Sequence, residues 1–396
     1  MIITRLRLAN WRNFTEVDVT LRERAFIIGP NASGKSNLLD AIRFLRDVSK
    51  REAGGLRTAV SSRGGVGPLR CLSARANSFV SMEVHLSPEV DTPPEWVYRL
   101  AFTAERSGNR RVLIQEEVVY HKGVCILNRP DAEDKADSER LTATALEQIN
   151  VNKEFRPIAD FFDAVTYMHL VPQLVRHGSE IGGNRLENDP FGQGFLERIA
   201  GTHANTRKSR LKKIQDAIAG IVPQLKEIDF DRDGRTGQPH LKARFENWRQ
   251  HGAWQREDQF SDGTLRLIGL MWSLLDSRGL LLLEEPEISL NRDIVMRLPA
   301  AIHRLSRTVR RRRDGRRRSE SRQVVITTHS SDMLSDSGID GREVLYIEPE
   351  KEGSILKVLS DDPRMREALE AGVMPGEIAP FRSPSWQIPM DLGLRV

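Results

Sequence analysis

Eight consecutive residues, Gly29-Pro30-Asn31-Ala32-Ser33-Gly34-Lys35-Ser36, place two glycines, a lysine and a hydroxyl at the spacing of a phosphate-binding loop. The glycines let backbone N–H groups turn inward on an anion, Lys35 reaches the β- and γ-phosphates, and the Ser36 hydroxyl can hold Mg2+. A helix opening at the loop adds its positive end, which brings Asn37 into the same cradle. The pattern therefore predicts ATP with Mg2+. The competing reading is an ordinary glycine-rich turn. Against it stand the apolar run Ala25-Phe26-Ile27-Ile28 before the loop and the helical spacing of Leu38, Leu39, Ala41, Ile42 and Leu45 after it.

Three further constellations follow in order. Leu280-Leu281-Leu282-Leu283 reads as a buried strand, and Glu284-Glu285-Pro286-Glu287 follows at its C-terminal end, where α/β proteins bind ligands. There Glu284 can hold Mg2+ through water, and Glu285 can polarise an attacking water. Some twenty residues earlier, Ser261-Asp262-Gly263 opens a helix in a capping and phosphate-binding pattern. Finally, Val324-Val325-Ile326-Thr327-Thr328 delivers His329 to the end of another buried strand, where it can sense a γ-phosphate. Each has a plain alternative: a solvated acidic turn, a helix cap, a satisfied structural histidine. Their order behind a P-loop shifts the balance.

These side chains need a split scaffold. Residues 1 to 46 read strand, turn, strand, loop, helix; residues 50 to 70, rich in Gly, Ser and Arg, read as a mobile loop. Alternating runs between Ser78 and Leu127 predict an antiparallel meander, Pro130 to Arg140 is turn-like, and Gln193 to Leu225 is largely helical. Two extended runs flank the turn Asp233 to Gly237. The expected organisation is an N-terminal ATPase lobe over 1–84 and an insertion over 85–254 that is a meander and then mainly helical. A C-terminal lobe over 255–350 and an extension over 351–396 follow. The fold class is α/β, a P-loop NTPase with a mixed sheet.

Composition narrows the setting. The net charge of +5 is uneven: ten arginines between Arg304 and Arg322 face only Asp314 and Glu320, which gives that segment +8 and the remainder −3. Arg310 to Arg318 reads either as a solvated loop or as an arm contacting DNA or RNA phosphates. No apolar stretch approaches the ~18 residues of a membrane span, and the N-terminus has no apolar core of a signal peptide. With only Cys71 and Cys125, far apart, a reducing cytoplasm is expected.

P-loop, Ser-x-Gly helix, acidic strand and strand-His, in that order, resemble an ABC-type ATPase head of the RecF/OLD/SMC-like branch, often grouped as AAA-family ATPases. Leu6 to Phe14, with Arg12-Asn13-Phe14, resembles that branch's opening strand and turn, Phe260 to Thr264 its signature, and Glu284 to Glu287 its Walker B ending. The resemblance covers about a third of the chain. It implies a homodimer that sandwiches two ATP molecules, with Ser261 and Gly263 of one copy completing the γ-phosphate site of the other. His329 would be the switch histidine, Ser289-Leu290-Asn291 the D-loop, and Arg12 and Asn13 neighbours of the nucleotide. Glu284 stands where many relatives carry Asp, and Asn291-Arg292 replaces a common His-Pro. For the Q-loop glutamine that joins the metal, Gln173 is the candidate and Gln115 the other. Coiled-coil arms are missing, and too few residues follow His329 for a Toprim nuclease domain.

The leading expectation is an ATP-hydrolysing, ATP-gated dimer in DNA repair or anti-phage defence, working with a separate effector such as a nuclease and without a membrane. A transporter's nucleotide-binding subunit and an ATP-dependent scaffold with little turnover are the other two classes.

Overall fold

The computed structural model describes residues 1–74, 78–105, 110–181, 189–246, 253–276, 279–311 and 317–380. Strands β1 (Ile2–Trp11) and β2 (Phe14–Thr20) form a hairpin in which Leu6 and Leu8 face Val19 and Val17. After β3 (Arg24–Ile28) come β4 (Val80–Ser87), β5 (Trp96–Ala104), β6 (Val112–His121) and β7 (Val124–Arg129). The antiparallel order β2-β1-β4-β5-β6-β7 makes one sheet of hairpin and meander.

The central sheet is assembled from distant segments. It runs β17-β16-β3-β15-β12-β8 and takes in β8 (Thr166–Met168), β12 (Leu281–Glu284), β15 (Val324–Thr328), β16 (Val344–Glu350) and β17 (Gly353–Val358). All its pairings are parallel except β16 with β17. Strands β9 (Leu225–Arg232), β10 (Pro239–Phe245) and β11 (Ala253–Arg256) form a small third sheet. Between β12 and β15, β13 (Arg307–Arg311) pairs with β14 (Arg317–Ser321).

Period-2 alternation with both faces buried explains the short apolar strands. Ala25, Ile27, Leu282 and Val325 share one core with the helix Lys35–Ser49, whose Phe44 packs on Trp11 of β1 and Phe102 of β5 in the antiparallel sheet. Phe26, Leu283 and Ile326 point the other way, onto Leu267, Met271 and Trp272 of the helix Asp262–Asp276 and Leu298 and Ile302 of the helix Arg292–Ser306. The P-loop helix is thus clamped between two sheets, and each such large side chain contributes about 1.5–3 kcal/mol on burial.

Four expectations need correction. Residues 50 to 70 are not an open loop: helices Leu56–Ser61 and Val66–Leu69 bury Leu56, Ala59, Val60, Val66 and Leu69. Pro130 to Arg140 contains the short helix Ala132–Ala136, closed by a capping box from Asp131. The boundaries at 84/85 and 254/255 fall inside β4 and β11, and the stretch taken as an insertion supplies β8 to the central sheet. The boundary at 350/351 cuts the β16–β17 hairpin, so the supposed extension supplies the sheet's edge strand. The helix expected to open at Ser261-Asp262-Gly263 is present as Asp262–Asp276, and the buried strands expected before the acidic turn and before His329 are present as β12 and β15. Arg312, Arg313 and Arg316 lie outside the described residues; Arg310 stands opposite Arg318, and Arg311 opposite Arg317. Among the described residues no helix is long and apolar enough to cross a membrane.

Candidate nucleotide site

Three parallel strands end together. Thr328 of β15 pairs with Ile28 of β3, and Glu284 of β12 with Thr327, so the P-loop, the acidic turn and His329 leave the sheet side by side. This is the carboxyl edge of a parallel sheet, where the chain changes direction and ligands bind.

The loop is shaped by its own conformation and braced from outside. Ala32 (φ 61) and Gly34 (φ 111) take left-handed conformations, which turns successive N–H groups to one side. A Cβ at Gly34 would lie 2.2 Å from Asn13 Nδ2. That amide donates to Ser33 O at 2.6 Å and to Ser354 Oγ at 2.9 Å, and its Oδ1 accepts from Asn37 at 2.8 Å. Ser354 Oγ in turn donates to Ser33 O at 2.8 Å. The P-loop helix starts at Lys35 with no side-chain cap and no acid in its first turn, which leaves its positive end available to an anion. Ser33 Oγ is buried without a hydrogen-bond partner in the loop's wall. An orphaned donor, an uncapped helix end and an inward-turned backbone fit a phosphate.

Lys35 is 6% exposed and donates to Gly29 O at 2.9 Å and Pro30 O at 3.0 Å. Burial lowers its pKa from 10.5 to about 8, against the opposing pull of Glu285, Glu287 and Glu284. The amine also meets His329 Nδ1 at 3.3 Å, and His329 Nε2 lies 2.7 Å from Glu285 Oε1. An ammonium only donates, so Nδ1 accepts and the ring proton on Nε2 faces Glu285. The turn after β12 holds Glu285 at φ 45, a costly conformation outside glycine that aims its carboxylate at His329. Glu287 anchors the other side of His329, with Oε1 accepting from His329 N at 3.0 Å and from Thr328 Oγ1 at 2.6 Å. Burial pushes the Glu287 carboxyl up in pKa despite these bonds.

Ser36 Oγ donates to Glu284 Oε1, which brings together the two side chains expected to hold Mg2+. No group of three or more His, Cys, Asp or Glu side chains suited to a metal exists among the described residues. Mg2+ binds through one or two protein oxygens together with phosphates and water, and the Ser36–Glu284 pair would supply such oxygens.

Other candidates are placed differently. Gln173 donates to Asp262 Oδ2 at 3.1 Å, not to Ser36 or Glu284, because the chain turns into a helix at Pro172 and carries it toward the signature. Gln115 is exposed on β6, in the other sheet. The Arg12 guanidinium is held by Asp40 at 2.6 Å, so its role is to tie the β1–β2 turn to the P-loop helix. Ser261 is exposed and caps its helix by accepting from Thr264 N at 3.2 Å. Gly263 sits under Ser289, whose carbonyl oxygen would be 2.6 Å from an added Cβ. The start of the helix at Gly263 and the turn at Ser289-Leu290 are therefore packed against each other. Sequence reasoning missed Ser354, Glu287, Tyr167 and His169. Tyr167 donates to Glu284 Oε2, and His169 Nδ1 lies 3.2 Å from Glu284 O.

Residues 24–335 match the AAA domain family described as putative AbiEii toxin, Type IV TA system. The chain belongs to this family. The family match contains the P-loop, the signature, the acidic turn and His329. The chain is also similar to the DNA replication and repair protein RecF of Bacillus mycoides, 31% identical over 88 residues, 22% of this chain and 24% of that protein. RecF of Roseiflexus castenholzii is 37% identical over 92 residues, 21% of this chain and 23% of the relative. The matched stretch thus spans about a quarter of these relatives. Among solved structures, the SmcHead bound to the C-winged helix domain of ScpA superposes with a TM-score of 0.52 at 15% identity, over 92% of this chain and 100% of that one. The Smc head domain derived from Pyrococcus furiosus gives 0.50 at 14%, over 94% and 99%. The fold of this family member is that of an ABC-type ATPase head of the RecF/SMC-like branch.

Proposed function

We propose that this chain binds ATP with Mg2+ at Gly29 to Asn37 and hydrolyses it when a second copy closes the site. The observation that carries the reading is the continuous contact from Lys35 through His329 to Glu285, set beside the Ser36–Glu284 pair. Lys35 donates to the β- and γ-phosphates as the charged amine. Glu285 orients the attacking water and accepts its proton, while His329 holds that carboxylate on one side and the lysine on the other. Ser36 and Glu284 hold Mg2+, which when bound neutralises phosphate charge.

Closure by a homodimer is supported by the exposed Ser261 at the start of its helix and by the packing of Gly263 on the D-loop. The expected process is nucleic-acid-linked and cytoplasmic, in DNA repair or anti-phage defence, with a separate effector such as a nuclease. The RecF relatives, named as replication and repair proteins, support the repair branch. The ten arginines between Arg304 and Arg322, a segment charge of +8 in the sequence, support an anionic partner such as a nucleic-acid backbone.

Turnover decides the matter. Steady-state ATP hydrolysis per chain should rise with protein concentration, and Glu285→Gln should lower kcat by about a hundredfold or more while ATP stays bound. Wild-type turnover no faster than that of Glu285→Gln would favour an ATP-dependent scaffold instead.

A further inference from the structure

Glu284 is gripped from a strand that the motif pattern does not include. Strand β8 joins the edge of the central sheet by pairing Tyr167 with Leu282 and Met168 with Leu283. Tyr167 consequently shares a sheet face with Leu282 and Glu284, the face that looks onto the P-loop helix. Its ring is 7% exposed and lies beneath Arg43 of that helix, 4.1 Å from the guanidinium carbon to the ring centroid. Its hydroxyl donates to Glu284 Oε2, while Ser36 donates to Oε1. The two carboxylate oxygens are thus divided between a strand on one side and the P-loop on the other.

We propose that Tyr167 is a positioning residue for the Mg2+ site, its hydroxyl fixing one oxygen of Glu284 so that the other is presented to Ser36. The inference rests on the reading of Ser36 and Glu284 as the protein's Mg2+ ligands. Packing alone does not require a hydroxyl here: phenylalanine would fill the same space under Arg43. A buried tyrosine hydroxyl needs a partner, and this one has the carboxylate. A glutamate at this position has one more rotatable bond than the aspartate common in relatives, and a second donor restrains that freedom. The partners that orient metal ligands in this way are typically worth 10–100-fold in metal affinity.

The test is a Mg2+ titration of nucleotide binding by the full chain, with a slowly hydrolysed ATP analogue read by equilibrium dialysis. Tyr167→Phe should raise the Mg2+ concentration at half-saturation about tenfold, and leave both the residual binding in EDTA and the melting temperature without ligand close to wild type. In a Glu284→Asp background, whose shorter side chain cannot span both donors, Tyr167→Phe should add little. A half-saturation unchanged by Tyr167→Phe, or equal weakening with and without Mg2+, overturns the proposal while leaving the site assignment intact. A wild-type chain that binds the analogue with no dependence on Mg2+ overturns both.

Discussion

Lys35 holds its charge in a setting that resists it, 6% exposed against two loop carbonyls and a histidine. Burial brings its pKa down from 10.5 to about 8. Stability and binding respond with opposite signs. Between about pH 8 and 10.5 the unfolded chain keeps the proton that the native amine has lost, so this group's contribution to stability rises with pH there; below about pH 8 the cost of burying the charge is present in full. Triphosphate affinity runs the other way, since only the ammonium donates to phosphate with full charge. ATP binding should be flat from about pH 7 to 7.5 and weaken above about pH 8, by up to about tenfold per pH unit, with no such inflection in Lys35→Met. Equilibrium dialysis across that range checks it, and wild-type affinity constant to pH 9.5 would contradict it. The lysine itself was plain from the sequence. Its neighbours were not, because the contact with His329 spans 294 positions and is set by β3 and β15 lying side by side.

At the scale of elements, the stretch after the P-loop helix shows why part of the fold was hidden. Residues 50 to 70 look like a loop because Gly, Ser and Arg dominate, yet five apolar side chains there are buried. Arg63 supplies the missing logic. It bonds Asp40 at 2.8 Å and Asp47 at 3.0 Å, both on the P-loop helix, and Arg12 bonds Asp40 from the other side. Burial pushes the Asp40 carboxyl up, but Arg63 and Arg12 outweigh it and hold its pKa below the usual carboxylate value. Arg63→Ala should destabilise the chain by about 3 kcal/mol, since it leaves two shielded carboxylates short of a partner. Urea unfolding measures this, and a loss under about 0.5 kcal/mol would mean that the helices hold without the clamp. Asp40 has a depressed native pKa, so its stabilisation is present above the unfolded value and is lost as pH falls through the folded one. Long periodic elements, the helices Lys35–Ser49 and Asp262–Asp276 and the apolar strands, were readable because their pattern is local. The three-residue β8 and the edge strand β17 were not, because each is defined by pairing with distant strands rather than by its own composition.

For the whole molecule, the geometry separates what one copy holds from what it lacks. Lys35, His329 and Glu285 touch in a chain within one subunit, and Ser36 reaches Glu284 beside them. Ser261 instead is exposed, capping its own helix, and Gly263 packs on Ser289. If a second copy completes the site, each active centre draws its P-loop from one chain and its signature from the other. Two inactive variants should then rescue each other. Lys35→Met removes the lysine that neutralises phosphate charge in turnover but leaves the signature; Ser261→Arg blocks the signature but leaves the P-loop and Glu285. Each alone should hydrolyse ATP at under about a hundredth of the wild-type rate, in line with the loss of a group acting in the transition state. Mixed in equal amounts, with random pairing, half the dimers carry one intact composite site. The mixture should therefore recover about a quarter of the wild-type rate per chain if sites act independently, and less if both must close together. Recovery should grow with total concentration, because it depends on an encounter between chains. No recovery at any ratio, alongside a Ser261→Arg chain that turns over normally, would place the whole catalytic site within one subunit.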